Sequence, residues 1–232
     1  MSKIDWAMAL KDEIQTAEDL YARGDLEGDL QWHIDFFSFL GDNPDLQRRV
    51  GEEYYSARYI YKLLEGLRID DEWARRAQVQ LQVQQYASIY EACLHHLLFT
   101  TCHDSEHVTA LLQQQGLKPW SVNQELQRRL REAKAPNGRN VVAAIESTFN
   151  LEEARVRFDS KAEAAAKIGI VDAKLGGELI QFYTARNMIH IHAELKRGAD
   201  WSWEIKFARK AYRRLLIFKQ QVEKWQQRNG DV

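Results

Sequence analysis

Proline and cysteine are scarce here: the 232 residues include three prolines and two cysteines. Cys93 and Cys102 alone make no disulfide framework, so stability must come from a packed core. Glycine is also sparse, at 12, and long stretches of Ala, Leu, Gln, Glu, Lys and Arg run on without a helix breaker. No apolar run approaches the roughly 20 residues that a membrane span needs. The opening Met-Ser-Lys-Ile-Asp-Trp carries charge early and lacks the apolar core of a signal peptide. The expectation is a cytoplasmic protein with no membrane partner. Basic residues are not in excess, since the formal net charge is −2. Any affinity for nucleic acid must therefore rest on a local patch. Gly169, Gly176 and Gly177 form neither a P-loop nor a dinucleotide fingerprint, and no Gly-x-Ser-x-Gly is present.

What is there is helix. Hydrophobic residues make up 45 % and charged residues 28 %, the balance of an ordinary globular chain. The pattern predicts helices over about 3–22 and 30–40, the second closed by Gly41. Asn43-Pro44 reads as an N-cap followed by proline at the first helical position. The helix after it carries Leu46, Val50, Tyr54, Ala57, Tyr61 and Leu64 on one side. Asp70-Asp71-Glu72 opens a long helix to about Thr101, whose apolar line is Val79, Val83, Tyr86, Tyr90, Leu94 and Leu97. Beside it runs a polar line of Gln84, Glu91 and His95.

Shorter pieces follow. Ser105 caps a helix ending at Gly116. The pairs Ser121/Gln124, Asn150/Glu153 and Ser160/Glu163 all have capping-box spacing. Residues 134–138, Lys-Ala-Pro-Asn-Gly, form the clearest turn. A helix spans about 174–197 and stops at Gly198. The last helix is capped by Ser202 and runs to about Arg228, with Phe207, Ala211, Leu215, Phe218, Val222 and Trp225 on one side. The expected class is all-α, without a strand pattern.

Within the 174–197 helix, Leu175, Leu179 and Phe182, then Ile189 and Ala193, keep steps of three or four once residue 186 is counted between them, the period of a face turned toward a core or a partner. Arg186 falls on that stripe. A guanidinium keeps its charge, so it needs an internal acid, such as Glu91, or a polar cleft. Next to it come Asn187, His190 and His192. On a straight helix His190 lies almost above Arg186, while His192 is displaced by about 120°.

Arg186-Asn187-Met-Ile-His190-Ile-His192 resembles the R-X4-6-H signature of HEPN-domain ribonucleases, and the resemblance covers about 70–232. Its layout is similar too: a long helix before the motif and a basic helix after it. It implies a HEPN-like antiparallel helical bundle at 70–232, with residues 1–69 as a helical N-terminal extension. It further implies a homodimer with two motifs at the interface and cleavage of RNA without a cofactor or metal. The attacking 2′-OH would leave a 2′,3′-cyclic phosphate. Arg186 would hold the phosphate, a histidine would move protons, and Asn187 would orient them. His192 has the family spacing, whereas His190 falls one residue short of it and would assist. Members of this kind often act as toxins or defence effectors restrained by an inhibitory protein partner.

The basic residues Lys196, Arg197, Lys206, Arg209, Lys210, Arg213 and Arg214 flank the motif. Of these, Lys196, Arg197, Lys206, Lys210 and Arg213 are the candidate RNA contacts. Trp201 and Trp203 are turn aromatics, suited to packing or base stacking. His95, His96, Cys102, His103 and His107 crowd into 13 residues, a grouping that reads as solvated histidines at a helix end rather than a metal site. The alternative to a ribonuclease is a non-catalytic helical interaction module, a regulatory or antitoxin-like partner. There His190 would pair with Glu194, and Arg186 with a structural acid.

Overall fold

The structure is a computed structural model that describes residues 8, 11–16, 18–24, 26–66, 71–187 and 205–229. Eight α-helices account for most of the described residues: α1 (Leu30–Asp35), α2 (Pro44–Gly66), α3 (Glu72–His96), α4 (Glu106–Leu112), α5 (Gln124–Glu132), α6 (Phe158–Ile168), α7 (Ala173–Asn187) and α8 (Ile205–Asn229). The fold is all-α, with one small two-stranded sheet. No helix among the described residues is long and apolar enough to cross a membrane.

Helix α3 is the centre. At 1.5 Å per residue its 25 residues reach about 37 Å. From Val79 onward it is buried on several sides, through Val79, Gln82, Val83, Tyr86, Ala87, Ile89, Tyr90, Cys93 and Leu94. A helix with this pattern has to be wrapped by others. Helices α2, α7 and α8 lie against it, and α6 packs on α7. One apolar core draws on Phe37 and Tyr54 from before residue 70, and on Tyr90, Phe182 and Phe218 from after it.

Tyr90 is the pin. Its ring lies nearly parallel to Phe182 (centroids 6.1 Å apart) and edge-on to Phe218 (5.5 Å). Its fully buried hydroxyl donates to the Ala211 carbonyl at 2.7 Å. Near the other end, Gly51 lets α1 cross α2. A Cβ there would stand 2.5 Å from the Ile34 Cα, which no rotamer change relieves.

The caps predicted at Asn43 and Ser105 hold, and Asp71, expected only as N-terminal negative charge, is a cap as well. The Asn43 Oδ1 accepts from Leu46 N, the Asp71 carboxylate from Ala74 N, and Ser105 Oγ from His107 N. Long helix α3 continues through one wide π-type turn to Thr101.

Several expected boundaries moved. The helix predicted to reach Leu40 ends at Asp35, followed by a turn and one 3-10 turn at Ser38–Leu40. Phe37, Phe39 and Leu40 are all buried, and a straight helix would aim them in different directions. Helix α5 is capped by Asn123, not Ser121, since the Asn123 Oδ1 accepts from Leu126 N. Ser160 lies inside α6, and Asn150 ends a strand.

The largest departure is that strand and its mate. Gln113–Pro119 (β1) pairs antiparallel with Ala144–Asn150 (β2), so helix α4 stops at Leu112 instead of Gly116. Three glutamines favour helix locally, but pairing with a segment holding Ile145, Thr148 and Phe149 overrides that weak preference. The hairpin and α5 form an arm with little burial, leaving Leu117, Trp120 and Val142 exposed.

Replacing Tyr90 by Phe should cost about 1 kcal/mol, the net worth of one buried hydrogen bond. Phe182→Ala should cost about 3–5 kcal/mol through the cavity it opens. Urea unfolding measures both; equal small losses would show that Tyr90 and Phe182 are not at the centre of the packing.

Candidate functional site

Helices α3, α6 and α7 meet at a polar cluster beside the core. Helix α7 turns Leu175, Gly176, Leu179, Phe182 and Ala185 inward, as its apolar stripe predicts. It starts cleanly because the Asp172 carboxylate accepts from Leu175 N. The turn before it depends on Gly169, whose φ of +84° ends α6 in the left-handed region. That reversal lays α7 back on α6 and stacks Phe158 on Tyr183, with centroids 4.3 Å apart and planes within 13°.

Tyr183 and Arg186 then converge on Glu91 of α3. The Arg186 guanidinium donates from Nη1 to Glu91 Oε2 at 2.5 Å. The Tyr183 hydroxyl donates to Oε1 at 3.2 Å. Arg186 also lies 5.1 Å from the Tyr183 ring centre. Burial, and next the negative Glu91, push the Tyr183 phenol above its ordinary pKa. It therefore stays a neutral donor. Of the two options open to Arg186, the internal acid is present, and it is Glu91. The pair is not sealed, because the side chains are 29 % and 31 % exposed.

A second group adjoins the first. One turn beyond Glu91, His95 Nδ1 accepts from the Lys161 ammonium at 3.2 Å. The proton on Nε2 is then directed at Glu153, 3.5 Å away. Lys161 is almost fully buried, with its ammonium 5.7 Å from the Phe99 ring centre. Burial lowers the Lys161 pKa, while Glu91 and Glu153 oppose the shift. Burial also lowers the His95 pKa, with the Lys161 charge adding to the effect. A neutral imidazole that accepts on one nitrogen and donates on the other is equipped to relay a proton. Arg186, Glu91, Lys161, His95 and Glu153 thus form a run of alternating charges that is close to neutral overall.

Asn187 is exposed and lines a cleft of about 360 Å³ with Arg157, Phe158, Asp159, Tyr183 and Thr184. His190, His192, Lys196 and Arg197 lie outside the described residues, as do Glu194, Trp201 and Trp203.

Lys206 is exposed in the first turn of α8. Lys210 points to Glu178 at 3.1 Å, and Arg214 clamps the same carboxylate. The Arg214 guanidinium holds the Glu178 carboxyl down at about 2. Glu178 lies eight residues before Arg186, about 12 Å along the helix axis. Arg213 is exposed and lines a separate cavity.

The histidine group is not uniformly solvated. His96 is buried and bonded to Asp42 at 2.9 Å. It sits on the inward side of α3, where an imidazole needs a fixed partner. His103 is exposed and meets Asp104. Among the described residues, no group of three or more His, Cys, Asp or Glu side chains is arranged to hold a metal ion.

Sequence reasoning passed over Tyr183, Lys161 and Glu153. A signal for Lys161 existed: it precedes Ala164 and Ala165 by three and four residues, on the buried face of an alanine-rich helix. The same reasoning drew attention to Arg186. No known family's sequence profile matches the chain, and neither a curated protein nor a solved structure is significantly similar to it.

Glu91→Gln should destabilise the protein by about 1–2 kcal/mol, between the values for exposed and buried pairs. A double-mutant cycle with Arg186→Met isolates the coupling; zero coupling would reduce the contact to coincidence. His95 gives a pH effect. Its folded pKa lies below the unfolded value of about 6.5, so protonation favours unfolding. Stability is intact above pH 6.5 and falls as the pH drops through that value. His95→Gln should flatten that fall in thermal melts from pH 7.5 to 5; an unchanged slope would contradict the assignment.

Proposed function

We propose that the chain is a metal-independent endoribonuclease of the HEPN type, with Arg186 gripping the scissile phosphate. The carrying observation is the setting of the Arg186-Asn187 pair. The guanidinium is anchored by Glu91 and Tyr183 yet part-exposed, and Asn187 opens on the adjoining cleft. An arginine fixed in advance stabilises charge developing on a phosphate without reorganising at the moment of reaction.

In this reading a histidine, His192 by family spacing with His190 assisting, takes the proton from the RNA 2′-OH. The freed oxygen attacks phosphorus and the bond to the 5′ oxygen breaks. That oxygen leaves with the proton that the histidine returns, and the other product is a 2′,3′-cyclic phosphate. Asn187 orients the phosphate. Two copies of the chain would place two motifs in one groove, with Lys196, Arg197 and Lys206 among the RNA contacts. A toxin or defence role under an inhibitory partner belongs to the same proposal.

The second reading is a helical interaction module without catalysis. One observation favours it: Glu91 already balances the charge of Arg186, so that residue has a structural use. Labelled RNA incubated in EDTA with wild type, Arg186→Ala and His192→Ala separates the two. The expected result is cutting by wild type and a loss of about 100-fold or more in either variant. Inert wild type, with all three proteins folded, hands the case to the interaction module. Cutting that EDTA abolishes would also refute the metal-free mechanism.

A further inference from the structure

A second polar cavity, of about 180 Å³, lies among α2, α3 and α8. It is on the far side of α3 from the cluster above. Gln82, which lines it, and Glu91 are nine residues apart, a rotation of about 180° on an α-helix. Its inner wall holds Arg58, only 7 % exposed. The guanidinium sits over the Tyr212 ring at 4.1 Å and 5.3 Å from the Tyr61 ring centre. The Tyr86 hydroxyl lies beside it.

Three deeply buried atoms there have no hydrogen-bond partner among the described residues, Arg58 Nε, Gln82 Oε1 and the Tyr86 hydroxyl. Gln82 is 1 % exposed, and its amide nitrogen is committed to the Ala57 carbonyl at 2.9 Å. Its oxygen is therefore an acceptor awaiting a donor. Among the described residues no carboxylate pairs with Arg58. Glu27 acts on it only at long range and already accepts from the Tyr212 hydroxyl at 2.8 Å.

A buried cation surrounded by neutral phenols is costly unless an anion joins it. Among the described residues, the outer wall adds Lys62, Arg209 and Arg213, with Glu65 between Lys62 and Arg209. Glu65 is shared by Lys62 at 3.2 Å and Arg209 at 3.7 Å, and Arg213 stands exposed at the rim. At about 30 Å³ per water, the space holds about six waters. That suits a phosphate with a few attached carbons.

We propose that this cavity binds a small phosphomonoester carrying a free hydroxyl, such as a sugar phosphate. The phosphate oxygens would accept from Arg58 Nε and from the rim arginine. The ligand hydroxyl would donate to Gln82 Oε1, and the tyrosine rings would wall the carbon chain. The site is independent of Arg186, so failure of the ribonuclease reading leaves it standing.

Isothermal titration of the full chain with ribose 5-phosphate, inorganic phosphate and ribose tests it. Ribose 5-phosphate should bind saturably, inorganic phosphate more weakly, and ribose not at all. Arg213→Gln, at an exposed position that folding does not use, should weaken ribose 5-phosphate about tenfold. Arg58→Lys, checked by circular dichroism for its fold, should weaken it about tenfold to a hundredfold, because an ammonium lacks the fork. No saturable binding of either phosphate overturns the proposal, as does binding that Arg213→Gln leaves unchanged.

Discussion

A helix buried on several sides leaves its polar side chains no water to turn to, and that constraint on α3 shapes the rest of the molecule. Each polar residue facing inward must find a partner on a neighbouring element or leave a group costly to bury. The Tyr90 hydroxyl takes the Ala211 carbonyl of α8, and Gln82 takes the Ala57 carbonyl of α2. His96 takes Asp42, ahead of α2, and Glu91 takes Tyr183 and Arg186 of α7. These contacts fix which neighbour lies on which side of α3, something apolar packing alone specifies less sharply. The exceptions then gain meaning. Gln82 Oε1 is one place where the rule is left unmet, and it opens into the Arg58 cavity.

The two polar regions differ in kind for a physical reason. Around Glu91 the charges alternate, so the cluster is self-compensated and holds its shape without a ligand. Around Arg58 the innermost cation is the one without a carboxylate partner among the described residues. Self-compensation favours a fixed framework, and an uncompensated buried cation favours an anion from outside. Helix α3 keeps them apart, with one on each side.

What could be read in the chain follows the range of the interaction. Caps such as Asn43 and Asp71 act over three residues, and stripes such as Val79 to Leu97 over one helix, so both show in a linear string. Glu91 was singled out as a partner for Arg186 because Arg186 sat on an apolar stripe and Glu91 lay on the polar line of the long helix. The β1–β2 pairing escaped, since it joins segments about 30 residues apart and contradicts the local preference of Gln113–Gln115. The cap at Asn123 was missed because Ser121 with Gln124 offers an equally good local pattern, and only packing chooses between them. His96 looked like one of several helix-end histidines, yet its direction depends on where Asp42 arrives. Arg58 and Tyr212 are separated by 154 positions, and nothing near either one announces the cavity they share.

The Arg186–Glu91 pair cuts both ways, and magnitude decides how far. Sealed in a dry interior, the pair would cost several kcal/mol to break and Arg186 would be lost to chemistry. At about 30 % exposure for each side chain, water screens the attraction, and the net worth of such a contact falls toward roughly 1 kcal/mol. A charge-assisted bond from arginine to a phosphate oxygen is worth about 1.5–3 kcal/mol. A phosphate can therefore recruit the guanidinium's free N–H groups, or draw it partly off Glu91, without unfolding α7. The contact that gives Arg186 a structural reason to exist is thus too weak to forbid a catalytic one. On the ribonuclease reading proposed above, Glu91 would hold the guanidinium beside Tyr183 and Asn187, which line the cleft, until a stronger anion displaced it.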